Sequence, residues 1–170
     1  MEENFQIDEE LTDFLDHFST QSKDIVRKKE HFEWIAKHPW MRVGEADSES
    51  KKYYFSSIAK SFNYFGFKLY DNEKFSAFCL VKERDKNVSI CYIYAGKKDK
   101  PMLAEYILDW AINQNYNTIF SMDKIISRHL EKKKRNFILI REVRRPYLLP
   151  KEMDISSGNF QFGDSDVVFT

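Results

Sequence analysis

Between positions 88 and 111 the sequence passes from an apolar strand, through a loop of Gly96, Lys97, Lys98, Asp99, Lys100 and Pro101, into an amphipathic helix. The strand, residues 88–95, is apolar on both alternating faces: Val88, Ile90, Tyr92 and Tyr94 share one, Cys91 and Ile93 the other. Such a strand belongs in the middle of a sheet covered on both sides. Asp99 and Pro101 start the following helix, because a fixed φ and a missing N–H suit its first turn. Leu103, Tyr106, Ile107, Trp110 and Ala111 make its apolar stripe, and the Asn-rich residues 113–117 end it. A sheet with helices on both faces, of α/β (α+β) class, is the fold this order predicts.

The remaining elements are read around that segment. Asp8 can cap a short helix carrying Leu11, Phe14, Leu15 and Phe18 at three- and four-residue spacing. After Ser19 and Thr20 a second helix carries Ile25, Val26, Phe32 and Ile35 and ends by Pro39. Trp34 and Trp40 are expected to dock it. Residues 42–52 read as a loop. Strands follow over 53–58, 62–70, 75–83 and 88–95, with turns at Asp71-Asn72 and over 85–87. Beyond the helix comes a short strand, 118–120. Ser121 or Asp123 caps the next helix, whose stripe is Met122, Ile125, Ile126, His129 and Leu130. The cationic run 132–135 closes it, where positive charge favours the helix dipole. Residues 137–143 alternate as a strand, and 166–169 are expected to pair at an edge. One domain is read over 1–170, a helical segment at 1–40 and a sheet–helix core at 53–170.

Composition narrows the classes. Fifteen Phe, nine Tyr and three Trp, with 42% hydrophobic residues, exclude a disordered chain. Net charge is 0, which points away from nucleic acid and from a membrane surface. The charge is nevertheless polarised. Glu2, Glu3, Asp8, Glu9, Glu10, Asp13 and Asp16 stand without a basic residue over 1–16. Lys124, Arg128, Lys132, Lys133, Lys134, Arg135, Arg141, Arg144 and Arg145 face only Glu131 and Glu142 over 124–145. These are either two solvated faces or, on the basic side, a surface for an anionic ligand or partner. Cys79 and Cys91 fall on two arms of a hairpin. A two-residue Asp85-Lys86 loop puts them on opposite faces, a three-residue loop opposite each other. Either way they read as free, buried thiols of a cytoplasmic protein. No apolar run approaches the roughly 20 residues of a membrane span, and the acidic N-terminus is the reverse of a signal peptide. No metal is expected. His31 and His38 lie roughly 10 Å apart along a helix, and Asp164 and Asp166 lack the ligands of a calcium loop.

Trp34-Ile35, Pro39-Trp40, the run Tyr53, Tyr54, Phe55, Ser56, Ser57 and the C-terminal Gly163, Asp164, Ser165, Asp166, Val167, Val168, Phe169, Thr170 carry a family likeness. With the element order from residue 53 onward, they resemble the GNAT superfamily of acyltransferases, most of all the GNAT-like type of Bacteroidetes. The resemblance implies a mixed central sheet whose strand 88–95 splays from a parallel strand at 118–120. Acetyl-CoA, or another acyl-CoA, would lie in the gap, its pyrophosphate held by backbone N–H groups of the loop and the next helix N-terminus. Carried onto this chain, the cofactor positions are Tyr94, Ala95, Gly96, Lys97, Lys98 and Lys100. The family's Arg/Gln-x-x-Gly-x-Gly/Ala pattern is reduced to Gly96, and Pro101 removes one donor.

The activity so implied is acyl-CoA-dependent N-acyl transfer, by direct attack of a small-molecule or peptide amine on the thioester. It needs a base, or a water path to one, and an acid for the leaving thiolate. The helix after 118–120 has no Tyr, which leaves Ser121, Glu83 and His129 as catalytic candidates. Against them stand a packed core role for His129 and a solvent-facing hairpin carboxylate for Glu83. The alternative is a non-catalytic GNAT-like domain, an interaction or structural half of a longer protein. The chain opens on an acidic helical segment rather than a strand. Tyr53, Tyr54, Phe55, Phe62, Tyr64, Phe65 and Phe67 exceed what one small core needs, so some are expected to meet a protein partner. An open cleft between the two splayed strands favours the enzyme; side chains filling it count against.

Overall fold

The structure, a computed structural model, describes residues 7–21, 27–39, 41–45, 58–133, 136–143 and 161–165. In chain order its elements are α1 (Glu9–Gln21), α2 (Lys29–Lys37), β1 (Arg42–Val43), β2 (Ile58–Ala59) and β3 (Phe62–Asp71). Then follow β4 (Lys74–Arg84), β5 (Asn87–Ala95), α3 (Lys100–Asn113), β6 (Thr118–Phe120), α4 (Lys124–Lys132) and a 3-10 turn (Phe162–Ser165).

Two tight turns set the register of the main sheet. Asn72 and Glu73 stand at φ of 50° and 66°, Asp85 and Lys86 at 51° and 63°. A pair of left-handed residues is what a two-residue hairpin turn with native twist requires. The first turn lies one residue later than expected, because Asp71 still pairs with Lys74. β3, β4 and β5 thus form an antiparallel meander, and β6 adds in parallel beside β5, in the order β3-β4-β5-β6. The sheet is mixed.

Helices cover both faces, as the fold class required. On one, Leu103, Ile107 and Trp110 of α3 and Ile126 and Leu130 of α4 pack on Phe67, Cys79, Val81, Val88 and Ile90. On the other, Leu11 and Leu15 of α1, Phe32 of α2 and Phe162 pack on Phe78, Leu80, Tyr92 and Tyr94. Asp8 starts α1 as its spacing predicted, its Oδ1 accepting from the Leu11 N–H at 2.9 Å. Lys68 of β3 then ties α1 down through Asp8 at 2.5 Å and Glu10 at 3.0 Å.

A β-bulge corrects the face assignment of β5. Val81 pairs with Ile90 and Leu80 with Tyr92, which leaves Cys91 as the extra residue. Val88 and Ile90 therefore face α3, whereas Tyr92 and Tyr94 turn to the α1–α2 side. The two-residue turn places Cys79 and Cys91 on opposite faces, both free and buried.

Other expectations change with tertiary packing. Arg42–Val43 pairs in parallel with Ile58–Ala59 instead of lying in a loop. Trp34 does not dock α2: it is 62% exposed and stacks on His38 at 5.3 Å. Residues 137–143 form no strand; Phe137 leans on the α3–α4 cluster while Ile138, Leu139, Ile140 and Val143 stay exposed. Alternation supplied them with faces, but among the described residues no strand lies beside them to complete a ladder. Of the early aromatics, the described ones meet rings within the chain: Phe65 and Phe67 pack edge-on to Trp110, and Phe62 on Tyr64. Ile25, Val26, Trp40, residues 46–57 and residues 166–169, for which the sequence also sets expectations, lie outside the described residues.

Candidate functional site

The site the sequence singled out begins where β5 and β6 part. They pair at Asn87 with Thr118, Val88 with Ile119 and Ser89 with Phe120, and there β6 ends. The bulge at Cys91 follows within two residues. A bulge bends its strand and increases its twist, so β5 leaves β6 just where pairing stops. From Ile90 to Ala95, no described strand lies against that edge of β5.

Residues 161–163 fill the vacated edge. The Ile93 N–H donates to the side-chain carbonyl Oε1 of Gln161. Because that N–H goes to Gln161, it points away from β4 and would otherwise be an unpaired buried donor. Phe162 is buried and lies edge-on to Phe120, centroids 4.9 Å apart. The Lys82 Nζ stands 5.1 Å from the Phe162 ring. Gly163 crosses over Tyr92, where a Cβ would come within 2.2 Å of the Tyr92 ring carbon Cζ. Only a residue without a side chain fits this crossing.

The loop at the end of β5 is closed on itself. The Gly96 carbonyl accepts from the N–H groups of Asp99 (3.0 Å) and Lys100 (3.2 Å), and Pro101 has none to offer. The Asp99 carboxylate is buried there, at 9% exposure, beside Gly96. Lys98 lies 3.4 Å from Asp71 and 3.9 Å from Asp99. Lys100 Nζ meets Asp123 Oδ2 at 2.5 Å, tying the first turn of α3 to that of α4. Of these three lysines Lys97 alone has no carboxylate partner among the described residues. Tyr94 is buried in the α1–α2 core, its hydroxyl accepting from Arg27 at 3.3 Å, and Ala95 packs toward α3. The six cofactor candidates are therefore neighbours in sequence along one strand end and loop, where carboxylates face Lys98 and Lys100 and the Asp99 and Lys100 N–H groups turn back to the Gly96 carbonyl.

The three catalytic candidates are separated and each is engaged. Ser121 Oγ accepts from the Asp123 N–H at 3.2 Å, and its carbonyl accepts from Ser127 Oγ. Asp123 is the cap of α4, accepting from Ile125 and Ile126. Glu83 is neither solvent-facing nor near the loop. It is 2% exposed, pairs with Val88 at the closed end of the sheet, and accepts from Ser61, Asn63 and the Lys86 N–H. Eight residues of strand separate Val88 from Gly96, roughly 25 Å. His129 lies at the rim of α4 rather than in the core, its Nε2 3.1 Å from Glu105 Oε1. Lys133, then His129, hold the Glu105 carboxyl below its ordinary range through their hydrogen bonds.

Sequence reading missed Gln161 and Phe162, used Gly163 only as part of a family likeness, and missed the pairing of Lys100 with Asp123. Neither has a periodic signal. Among the described residues there is no cluster of metal-ligating side chains, and no helix is long and apolar enough to cross a membrane. Comparison with protein-family models, with curated proteins and with solved structures returned no match.

Proposed function

We propose that this chain is a non-catalytic, GNAT-like binding module, serving as an interaction part of a larger assembly. The observation that supports this reading is the occupied edge of β5: Gln161, Phe162 and Gly163 lie against it just beyond its divergence from β6, the gap in which the resemblance would put a thioester arm. Electrostatics points the same way. Buried Asp99 stands at the N-terminus of α3, where the resemblance would place a pyrophosphate, and Lys100 beside it is paired with Asp123, so an incoming phosphate meets carboxylate there. Glu83 lies at the closed end of the sheet and His129 is held by Glu105 at the rim of α4, which leaves Ser121 as the one candidate beside the point where β5 and β6 part.

The rival reading is N-acyl transfer from acetyl-CoA to an amine, and the divergence of β5 from β6 favours it. Calorimetric titration of the full chain with acetyl-CoA and with coenzyme A separates the two. The binding-module reading expects no heat of binding at millimolar ligand. Micromolar binding that is lost in Gly96→Leu would overturn it in favour of the transferase.

A further inference from the structure

We propose that α4 is a docking face for α1 of a second copy of this chain, so that copies associate head to tail through complementary rows of charge. The inference goes beyond the binding-module reading, because a contact between these two helices requires nothing of the β5 edge.

The basic row is Lys124, Arg128 and Lys132, spaced four apart along α4 on the side away from the buried Ile126 and Leu130. All three are exposed, and a row of this spacing spans roughly 12 Å of helix. The stability of α4 does not account for it. Like charges four apart on a helix repel, and Lys124 opens α4 at the end where the dipole disfavours a cation. Nor are the three compensated: among the described residues none of them has a hydrogen bond or an ion pair. Their charged neighbours differ. His129 and Lys133 are held by Glu105, and Glu131 is the single acid of the helix.

The counterpart lies on α1. Glu9, Asp13 and Asp16 are exposed on the side away from the buried Leu11 and Leu15, over roughly 10 Å of helix. Asp8 and Glu10 beside them are tied to Lys68, which fixes α1 on the sheet. Glu9 and Asp13 have no such partner among the described residues. Because α1 and α4 pack on opposite faces of the sheet, the two rows cannot meet within one chain. Laid antiparallel across two copies, Glu9 comes opposite Lys132, Asp13 opposite Arg128 and Asp16 opposite Lys124. A second copy is singled out because the chain itself carries a row of matching length and opposite sign. Its net charge of 0 also leaves no overall repulsion between copies. The two surfaces differ, so the contact is heterologous, and a third copy can add to either end of a pair.

Exposed ion pairs are individually weak and screened by salt, so the association is strongest at low ionic strength. Sedimentation velocity of the full chain reads it, at about 10 to 500 μM protein in about 20 mM and about 300 mM salt. The sedimentation coefficient should rise with concentration in low salt, with association at least about fivefold weaker in high salt. Lys124→Glu with Arg128→Glu reverses one row, and Glu9→Lys with Asp13→Lys reverses the other. Each double variant alone should associate at least about tenfold more weakly than the unsubstituted chain. An equimolar mixture of the two should recover the lost association, because each then offers the sign that the other lacks. A chain that stays monomeric throughout overturns the inference. So does a reversal variant that associates like the unsubstituted chain, or a mixture no stronger than its components when circular dichroism shows both variants folded. Should Glu9→Lys with Asp13→Lys not fold, Glu9→Gln with Asp13→Asn must weaken the association of the unsubstituted chain instead.

Discussion

Asp123 joins two helices with its two carboxylate oxygens, and substituting it separates their contributions. Oδ1 accepts from the N–H groups of Ile125 at 2.9 Å and Ile126 at 3.0 Å; Oδ2 meets Lys100 Nζ at 2.5 Å. Asp123→Asn retains an N-cap acceptor of similar quality and deletes the charge. Asp123→Ala deletes both. Loss of a cap costs about 1 kcal/mol. The ion pair is largely enclosed, with side-chain exposures of 19% and 18%. Leaving its ammonium without a partner costs about 1–2 kcal/mol after allowance for residual solvent. Asp123→Asn should therefore lose about 1–2 kcal/mol and Asp123→Ala about 2–3 kcal/mol. With a urea dependence of about 2 kcal/mol per molar, the midpoints fall by about 0.5–1 M and 1–1.5 M. Urea unfolding reads this through tryptophan fluorescence, since Trp110 packs between Phe65, Phe67 and Tyr116 beneath the same helices. A cycle with Lys100→Met isolates the pair energy. An Asn variant as stable as the unsubstituted chain would refute the claim that the Lys100–Asp123 tie holds the α3 and α4 corners together. Equal losses for Asn and Ala would refute the cap.

The tether of α1 should be acid-labile. Burial alone would raise the Asp8 pKa, but the Lys68 ammonium and the Leu11 N–H outweigh it, so the carboxyl sits below its usual range; Tyr70 and then Lys68 lower Glu10. Groups depressed in this way contribute stability that is full above the ordinary carboxylate value of about 4 and lost as pH falls through the folded values. Hydrogen exchange of α1 should accelerate below about pH 4, and Lys68→Met should abolish most of that acid step. Phe32 is fully buried, edge-on to Phe78, Tyr92 and Tyr94, so Phe32→Ala should cost about 3–5 kcal/mol, read as a lowered urea midpoint. Burial raises the Cys79 thiol pKa well above the ordinary range, and a thiol-specific reagent should label Cys79 only in denaturant.

The part of the fold set by local chemistry was legible in the sequence. Left-handed pairs at the hairpin tips, Asp8 before an apolar stripe, and the helix-starting Pro101 gave β3 to α4 in the right order. What escaped depends on contacts distant in sequence. The bulge at Cys91 was hidden because residues 90 to 93 are apolar whichever way they point, so alternation carries no register information there. Glu83 read as a surface carboxylate because nothing local shows that Ser61 and Asn63, some twenty residues earlier, will enclose it. At 137–143 strand propensity was real, and among the described residues no strand pairs with it. The candidate site was legible in position, whereas its balance of charge was not. Gly96 and three lysines suggest an anion site until Asp71, Asp99 and Asp123 are brought beside them.

That balance of charge makes one last prediction decisive between an anion site that is merely quenched and a strand edge that is occupied. The positive ends of α3 and α4 attract anions, and here Asp99 and Asp123 supply them internally. Asp99→Asn removes one charge without changing shape, and makes the loop more favourable to phosphate by the usual few tenths to one kcal/mol of a helix-terminal charge. If quenching were the sole obstacle, this variant would bind acetyl-CoA in calorimetry. The filled edge predicts that it does not, because Gln161 still holds the Ile93 N–H and Phe162 still covers Phe120. Combining Asp99→Asn with Gly163→Val removes both obstacles. Binding by the double variant alone would mean that the sheet geometry suits an acyl-CoA and that the occupying segment keeps it out. No binding by either variant would mean that the loop with its single glycine offers an anion too few donors to be held, whichever obstacle is removed.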